Sequence, residues 1–424
     1  MQNSLLELFG LVSLIDDHVF GDLGSFRERF MGPRAAISEL QARLNSVCHR
    51  TLRRQVHAYV PYTRRHALVE QFSLGAEERQ LYDAVASYLS RAELHALPAQ
   101  QRALTTMVLR KLLASSSFAI AGALETMSKR LLAGLAGVPS EDLETFEETL
   151  DEWGEEATAD SVPDRDAAAI EAAELQEIAK FAASIGQNAK GEALLSALKV
   201  AFEKANDLGS AHKALIFTES RRTQDYLTAL LRGSPWGDEI VLFNGSNTDP
   251  DSRKIYQEWL ERHRGTDRVT GSSAADMRQA LVDRFRERGK IMIATEAGAE
   301  GINLQFCALV VNYDLPWNPQ RIEQRIGRCH RYGQKHDVVV VNFLNRDNAA
   351  DQRVHQLLAE KFSLFEGVFG ASDEVLGAIG SGVDFERRVA DIYQRCRHPA
   401  DITAAFDALQ AELAQEIDGE VSKT

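Results

Sequence analysis

The feature that most constrains the fold is a change of pattern at Lys213, where short apolar runs begin to alternate with longer amphipathic segments. Candidate strands lie at Ala214–Phe217, Ile240–Phe243, Ile291–Ala294, Leu309–Asn312 and Val338–Phe343. Candidate helices lie between them near Thr223–Leu231, Asp251–His263 and Ala274–Arg288. Strands that alternate with helices in this way are typical of βαβ units and a parallel sheet. The sequence therefore predicts an α/β fold for this part of the chain.

Regions with helical periodicity precede and follow this part of the chain. Before about residue 205, apolar residues recur at helical spacing, as in the stripe formed by Leu81, Val85, Tyr88 and Leu89. After about Asn345 the pattern is again helical to the end of the chain. We therefore expect an α/β domain that is preceded and followed by helical regions.

Charge is distributed unevenly along the chain, which bears on the partners it can bind. The formal net charge is −14 at pH 7. Residues 141–177 hold fifteen acids against Arg165 alone, and the part around 151–166 is typical of an exposed connector. Residues 43–66 carry six arginines, three histidines and no acid. Either this basic stretch follows a phosphate backbone, or its arginines pair with the acidic segment or with solvent. The net charge therefore does not exclude a nucleic-acid partner.

Composition argues against several protein classes. The sequence has no run of about 18 apolar residues, as a membrane-spanning helix would need, and residues 1–34 do not resemble a secretory leader. The four cysteines form neither a close pair nor a zinc-binding pattern, so no disulfide and no metal ligand is predicted. We expect a cytoplasmic protein that does not bind membranes.

The densest motif runs from Gln324 to Gln334 and reads QRIGRCHRYGQ. On a helix that follows a strand, Arg328 and Arg331 are three residues apart and face the same way, so both guanidinium groups can converge on one phosphate. An arginine finger needs this arrangement, because it places positive charge where negative charge develops on a transferred phosphoryl group. An exposed basic helix face is the alternative for an isolated pair, but the full pattern of glutamine, glycine and arginines favours the phosphate interpretation.

A glycine-containing segment, Thr295–Gln305, follows one of the predicted strands. Its glycines allow backbone amides to approach phosphate oxygens closely, and Thr295 and Asn303 add side-chain donors. Such segments are often only turns, but the position between a strand and the arginine motif favours a phosphate contact. The Asn244–Ser246 segment after another strand is equally consistent with a phosphate contact and with a plain turn.

These motifs resemble, in order along the chain, motifs IV, V and VI of the Swi/Snf-type helicase-like ATPases, above all their bacterial members, which include the RNA-polymerase-associated recycling ATPases. The resemblance rests on Lys213–Thr218, Thr295–Gln305, Asp314–Pro319 and Gln324–Gln334. It implies a RecA-like helicase C-terminal lobe, with ATP and Mg²⁺ between this lobe and a first lobe and with double-stranded DNA across both.

The resemblance also assigns residues. It implies that Arg328 and Arg331 are the two catalytic arginine fingers, and that Gln324 and Gly301 lie with them on the ATP side. The DNA-side residues that it implies are Thr218, Asn244, Gly245, Thr295 and Asn303.

The resemblance extends toward the amino terminus. Gln2–Leu11 resembles the segment after motif III at the end of the first RecA-like lobe, and Leu52–Arg54 with Val60–Tyr62 resembles the double-arginine segment between the lobes. The domains expected from it are the end of a first lobe at 1–30, a helical inter-lobe region at 31–205 with an acidic connector near 141–166, the RecA-like helicase C-terminal domain at 206–350 and a helical tail at 351–424.

Two motifs of a complete ATP site are missing from the sequence. No GxxxxGK[ST] phosphate loop occurs, and no Asp-Glu pair closes an apolar strand. We therefore expect the C-terminal half of a two-lobed motor, inactive as an ATP hydrolase by itself, with Mg²⁺ held mainly by the other lobe. Either the gene is truncated or split and a separately encoded first lobe completes the enzyme, or the chain is a noncatalytic DNA-binding or regulatory remnant of such a motor.

Overall fold

The chain divides into two compact units, Met1–Val60 and Pro61–Thr424. The structure is a computed structural model that describes residues 5–31, 36–48, 63–91, 93–97, 102–136, 165–296, 298–299, 301–361, 382–395 and 399–421. The double-arginine segment at Leu52–Arg54 and the acidic connector up to residue 164 lie outside the described residues.

The smaller unit contains helices α1 (Leu5–Ile15), α2 (Leu23–Phe30) and α3 (Ile37–Leu44). Helix α2 begins after Asp22, whose Oδ1 accepts a hydrogen bond from the Ser25 amide at 3.0 Å, as expected of an N-cap. Its apolar residues form one core: Leu8, Val12, Phe20, Phe26, Phe30 and Leu40. The assignment of residues 1–30 to the end of a first lobe stays a prediction.

The larger unit is built on a six-stranded sheet in the order β1-β6-β5-β2-β4-β3, and each neighbouring pair is parallel. The strands are β1 (Arg65–Phe72), β2 (Ala214–Thr218), β3 (Ile240–Phe243), β4 (Ile291–Thr295), β5 (Leu309–Asn312) and β6 (Val338–Asn345). Strands β2 to β6 begin at the predicted residues. The prediction of a parallel α/β sheet is confirmed.

Both faces of this sheet are buried, which explains why the strands are continuous apolar runs. Leu215 and Phe217 of β2 belong to one core, whereas Ile216 of the same strand belongs to the core on the opposite face. Successive side chains of a strand point to opposite faces, so each run supplies both cores.

Strand β1 lies within the region predicted to be helical. It pairs with β6 at the sheet edge, with Arg65 opposite Val338 and Phe72 opposite Asn345. Its sequence, RHALVEQF, mixes polar and apolar residues without a clear period, so local pattern does not identify it. Contacts with β6 and with the arginine motif that precedes β6, described below, fix this segment as a strand.

Helices cover the sheet and extend beyond it. Those before β2 are α4 (Ala76–Leu89), α5 (Arg102–Ser115), α6 (Ser117–Ala136), α7 (Arg165–Ser184) and α8 (Ala189–Asp207). Those between strands are α9 (Arg221–Arg232), a 3₁₀ turn (Gly237–Glu239), α10 (Pro250–His263), α11 (Ser273–Glu287) and α12 (Pro319–Cys329). Those after β6 are α13 (Ala349–Gln356), a π-helical segment (Leu357–Lys361), α14 (Gly382–Arg395) and α15 (Pro399–Val421). Among the described helices, none has the length and apolarity needed to cross a membrane.

The helices before and after the sheet pack differently. Helices α4 to α7 share a core of their own, which includes Leu81, Leu109, Ile120 and Leu175. The tail instead joins the core on one face of the sheet, because Phe385 and Phe406 pack in the same cluster as Phe217 and Trp317.

Candidate functional site

The carboxyl ends of the central strands bring most of the predicted site residues to one edge of the sheet. Thr218 ends β2 and is the register partner of Thr295, which ends β4. Asn244 follows the neighbouring strand β3, and Asp314 follows β5. Ligands of open α/β sheets bind outside this edge, so its loops are the candidate functional surface.

A tight turn after β3 presents the predicted residue Gly245. The Asn244 amide donates to Asn247 Oδ1 at 2.8 Å, and the Asn247 amide donates to Asn244 Oδ1 at 2.7 Å. Asn247 adopts a left-handed backbone with φ 48°, which asparagine tolerates better than most residues. The Asn244 side chain is buried and shapes the turn, whereas Gly245 and Ser246 are exposed at its tip.

This turn packs directly against the segment that follows β4, called here the 296–304 loop. A Cβ atom added to Gly298 would lie 2.6 Å from the Cα atom of Asn244, so only glycine fits this contact. Arg278 of α11 donates a hydrogen bond to the Gly298 carbonyl at 2.9 Å. The two segments that were predicted to contact DNA therefore lie side by side.

The other predicted DNA-side residues differ in exposure. Asn303 is exposed at the far end of the 296–304 loop, while Thr295 is buried at its start. The Thr218 hydroxyl is fully buried and donates to Asp314 Oδ2 at 2.6 Å. A phosphate contact by that hydroxyl would require this hydrogen bond to break.

Asp314 is the centre of a buried polar cluster. Its carboxylate also accepts hydrogen bonds from Lys190 Nζ at 3.0 Å and from Ser115 Oγ at 2.9 Å. Burial raises the pKa of Asp314, but Lys190 and Thr218 lower it by more, so the net shift is downward and the group is a carboxylate at neutral pH. The cluster joins α5 and α8 to the ends of β2 and β5, and it borders a cavity of about 540 Å³ that Tyr82 and Trp317 also line.

Helix α12 carries the first part of the arginine motif. Asn318 caps it by accepting from the Gln320 amide at 2.9 Å, and Pro319 occupies its first turn, as is common at a helix start. Gln324 and Arg328 are half-buried on this helix.

The prediction that Arg328 and Arg331 share one helix face was wrong, because α12 ends at Cys329. His330 lies outside the helix and is held by two hydrogen bonds. Its Nδ1 accepts from Arg65 Nε at 3.1 Å, and its Nε2 donates to the Thr63 carbonyl at 2.7 Å. Arg331 follows in the turn, where its Nε donates back to the Gly327 carbonyl at 2.6 Å.

The far end of the 296–304 loop contacts the arginine motif. The Leu304 amide donates to the Arg328 carbonyl at 3.0 Å, and the adjacent Gln305 Nε2 donates to the Tyr332 carbonyl at 2.7 Å. Gly301 in this loop is exposed and has φ 78°, a conformation that favours glycine. The predicted ATP-side residues Gly301 and Arg328 therefore belong to connected segments.

Arg325 is the main site residue that the sequence analysis missed. It is 1% exposed, and its Nε and Nη2 atoms lie 2.7 and 2.6 Å from Glu296 Oε2. Its Nη1 donates to the Asp314 carbonyl at 2.5 Å. The sequence does indicate that Arg325 is buried. Ile322, Ile326 and Cys329 define the buried face of α12, and helical spacing puts Arg325 on that face.

A second buried arginine, Arg65 of β1, holds the same helix from the sheet edge. Its guanidinium lies 2.5 and 2.9 Å from the two carboxylate oxygens of Glu323. In the basic 43–66 stretch, Arg43 likewise pairs with Glu39 at 2.8 Å within the smaller unit. These two arginines therefore pair with acids outside the acidic 141–177 segment, and residues 49–62 lie outside the described part of the chain.

Comparison with known proteins gives one matching family and several relatives. Residues 190–333 match the family model of the helicase conserved C-terminal domain. The chain is 28% identical over 417 residues to an uncharacterized ATP-dependent helicase, YqhH, of Bacillus subtilis (strain 168), which covers 98% of this chain and 61% of that protein. The chain thus spans about three-fifths of the length of this relative.

Solved structures with similar features include the Sulfolobus solfataricus SWI2/SNF2 ATPase core in complex with dsDNA. It is 17% identical, with a TM-score of 0.41, and the match covers 93% of this chain and 64% of that chain. The family model, the bacterial relative and the motif order agree: residues 190–333 match the helicase conserved C-terminal domain, and the chain is similar to Swi/Snf-type helicase-like proteins.

Proposed function

We propose that this chain supplies the second motor lobe of an ATP-dependent DNA translocase. One observation carries the proposal: the 296–304 loop contacts the Asn244 turn at Gly298 and the arginine motif at Leu304. A single short loop thus joins the proposed DNA side to the proposed ATP side. Such a connection is what a motor needs if events at the nucleotide are to change contacts with the track.

The residues on the proposed ATP side fit a polyphosphate. Arg328 and Arg331 supply two fixed positive charges, and nothing lies within 4 Å of the position of a Cβ atom on Gly301, so the backbone is open there. Gln324 adds an amide donor on the same helix as Arg328. When bound, Mg²⁺ neutralises charge on the phosphates. We expect the other lobe to hold it.

On the proposed DNA side, exposed groups are available at the tip of the turn and the end of the loop. Gly245, Ser246 and Asn303 are the exposed members, and they carry no charge. We expect them to contact phosphates of double-stranded DNA rather than base edges, because backbone amides, hydroxyls and side-chain amides are common phosphate donors. Such contacts position the protein without reading sequence.

The proposal is tested by ATP hydrolysis in the presence of duplex DNA, with the chain mixed with a polypeptide that carries the phosphate-loop lobe of a Swi/Snf-type ATPase. Arg328→Ala and Arg331→Ala should each lower the turnover rate by about a thousandfold, the scale of an arginine finger. The matched control is Arg288→Ala, because Arg288 is exposed just before β4 and therefore lies at the opposite edge of the sheet.

Three results would distinguish the proposed motor-lobe function from its alternatives. Loss of turnover in both arginine variants but not in Arg288→Ala supports the proposal. Wild-type turnover in Arg331→Ala would show that this side chain does not act on the phosphates. DNA binding by the wild-type chain without any hydrolysis, even with the added lobe, would favour the noncatalytic DNA-binding or regulatory alternative.

A further inference from the structure

A row of alternating charges connects the helical tail to the 296–304 loop. Its five side chains, called here the ion-pair series, are Glu386 of α14, Lys111 of α5, Glu219 after β2, Arg325 of α12 and Glu296 at the start of the loop. They are between 1% and 27% exposed, so solvent and salt screen these charges only in part. The function proposed above gives the tail no role, whereas this series reaches the loop from the tail.

The tail end of the series is a close, buried ion pair. Glu386 Oε1 accepts a hydrogen bond from Lys111 Nζ, which also lies 5.3 Å from the centre of the Trp317 ring. Burial lowers the pKa of Lys111, but Glu219 and Glu386 raise it by more, so Lys111 is an ammonium at neutral pH. Helix α14 is therefore joined to α5 by opposite charges.

The loop end of the series is also a close ion pair. Arg325 Nη2 lies 2.6 Å from Glu296 Oε2, and the Arg325 side chain is 1% exposed. Glu296 begins the loop whose Leu304 amide donates to the Arg328 carbonyl at 3.0 Å. This pair therefore fixes the first residue of the loop to α12.

Glu219 lies between the two close pairs and is held less firmly than they are. Its Oε2 atom lies 3.5 Å from Lys111 Nζ, and its Oε1 atom lies 4.0 Å from Arg325 Nη2. Oε1 is buried, and within the described part of the chain no donor hydrogen-bonds to it. Burial raises the pKa of Glu219 by more than Lys111 and Arg325 lower it. The position of this carboxylate therefore depends on both cations.

We propose that α14 controls how firmly the 296–304 loop is held, with Glu386 and Glu219 as positioning residues. When the charge of Glu386 is removed, Lys111 attracts Glu219 more strongly, because the competing carboxylate is gone. Glu219 then competes less for Arg325, so Arg325 pairs more tightly with Glu296. Loss of a tail charge should thus tighten the loop, whereas plain loss of packing would loosen it.

The test is hydrogen–deuterium exchange of the full chain alone, followed by pepsin digestion and mass spectrometry. The amides of Ala299 and Leu304 donate to the carbonyls of Thr295 and Arg328, so peptides over 296–304 report opening of the loop. In Glu386→Gln we expect exchange in these peptides to be about 2- to 30-fold slower, the range for coupling through a connected network.

The matched control is Glu412→Gln, because Glu412 pairs with Arg388 of the same tail helix but is 64% exposed and lies outside the series. It should leave exchange in the loop unchanged. An effect of Glu386→Gln on DNA-stimulated hydrolysis rests on the proposed function. The exchange measurement uses no ATP, DNA or second lobe, so the two proposals can fail separately.

Two further variants test the direction and the route of the coupling. Coupling between two sites is reciprocal, so Glu296→Gln should slow exchange in peptides over α14. Glu219→Gln should slow exchange in the loop and remove the response of the loop to Glu386→Gln.

Other outcomes would overturn the proposal. Unchanged or faster exchange of the loop in Glu386→Gln would show that this pair only packs the tail. Additive effects of Glu386→Gln and Glu219→Gln would show that Glu219 is not the link. Glu296→Gln keeps the test independent of whether Glu386→Gln folds, because unchanged or faster exchange over α14 in this variant would also contradict the coupling.

Discussion

Asp314 accepts hydrogen bonds from four buried donors, and replacing it with asparagine is expected to destabilise the larger unit strongly. The donors are Lys190 Nζ at 3.0 Å, Thr218 Oγ1 at 2.6 Å, Ser115 Oγ at 2.9 Å and the Glu219 amide at 3.1 Å. Asparagine keeps the volume but removes the charge, and it leaves the Lys190 ammonium buried without its partner. Removing one member of a buried ion pair costs about 3 to 5 kcal/mol of unfolding free energy.

The assay is urea unfolding followed by tryptophan fluorescence. Trp153, Trp236, Trp259 and Trp317, which are all the tryptophans of the chain, lie in the larger unit, so the signal reports that unit alone. With a urea dependence of about 3 kcal/mol per molar, the midpoint of Asp314→Asn should fall by about 1 to 1.7 M.

The control is Asp251→Asn, which removes a pair with Arg232 whose side chains are 63% and 68% exposed. Its cost should stay below about 1 kcal/mol. A midpoint for Asp314→Asn no lower than that of the control would refute the reasoning. Lys190→Met added to Asp314→Asn should recover part of the loss, because it removes the unpaired charge.

The same pair sets a pH dependence. Burial raises the pKa of Asp314, but Lys190 and Thr218 lower it by more, so the folded pKa lies below the ordinary 3.8. Above about pH 5 the ionised Asp314 carboxylate therefore makes its full contribution to the free energy of unfolding. This contribution is lost as the pH falls through the pKa that Asp314 has in the unfolded chain and then through its pKa in the folded chain. The difference in urea-unfolding midpoint between the wild-type chain and Asp314→Asn should be constant near neutral pH and should shrink below about pH 4.

The remaining predictions concern the loops and the DNA side. Gly298→Ala should destabilise the larger unit by about 1 to 3 kcal/mol in the urea assay, because its Cβ would meet the Asn244 backbone at 2.6 Å. Gly327→Ala should instead stabilise the larger unit by about 0.5 to 1 kcal/mol, because alanine favours the helix and nothing lies within 4 Å of the added Cβ atom. A loss of stability would contradict this expectation. Fluorescence anisotropy with unrelated duplexes should give a steeply salt-dependent Kd of about 10⁻⁴ to 10⁻⁶ M at physiological salt, whereas a flat response or a preferred sequence would indicate base readout.

Continuous apolar runs made the central sheet predictable. Ala214–Thr218 and Ile291–Thr295 are buried on both faces, so their sequence alone identifies them as strands. Strand β1 was missed because its position depends on pairing with β6 and on the contact between Arg65 and Glu323, which is distant in sequence. Local pattern carries no information on such a contact.

The candidate site was predicted in part for similar reasons. The motif order located Arg328 and the 296–304 loop, but the helix was extended too far, because the contacts that hold His330 outside it come from Thr63 and Arg65. The role of Arg325 was missed because roles in the motif were assigned only to Gln324, Arg328 and Arg331. The buried position of Arg325 follows from the apolar spacing of its helix, a signal that the functional motif obscured.

The most direct test of the central claim is the ratio of ATP hydrolysis rates with and without duplex DNA, measured for the chain together with a phosphate-loop lobe. Glu296 begins the loop that joins the proposed DNA and ATP sides, and it pairs with the buried Arg325 at 2.6 Å. We predict that DNA stimulates wild-type hydrolysis, and that Glu296→Gln brings this ratio close to one. Glu287→Gln, which removes a half-exposed pair with Arg262, should leave the ratio unchanged. Wild-type stimulation by DNA in Glu296→Gln would contradict the claim that this loop couples the two sides.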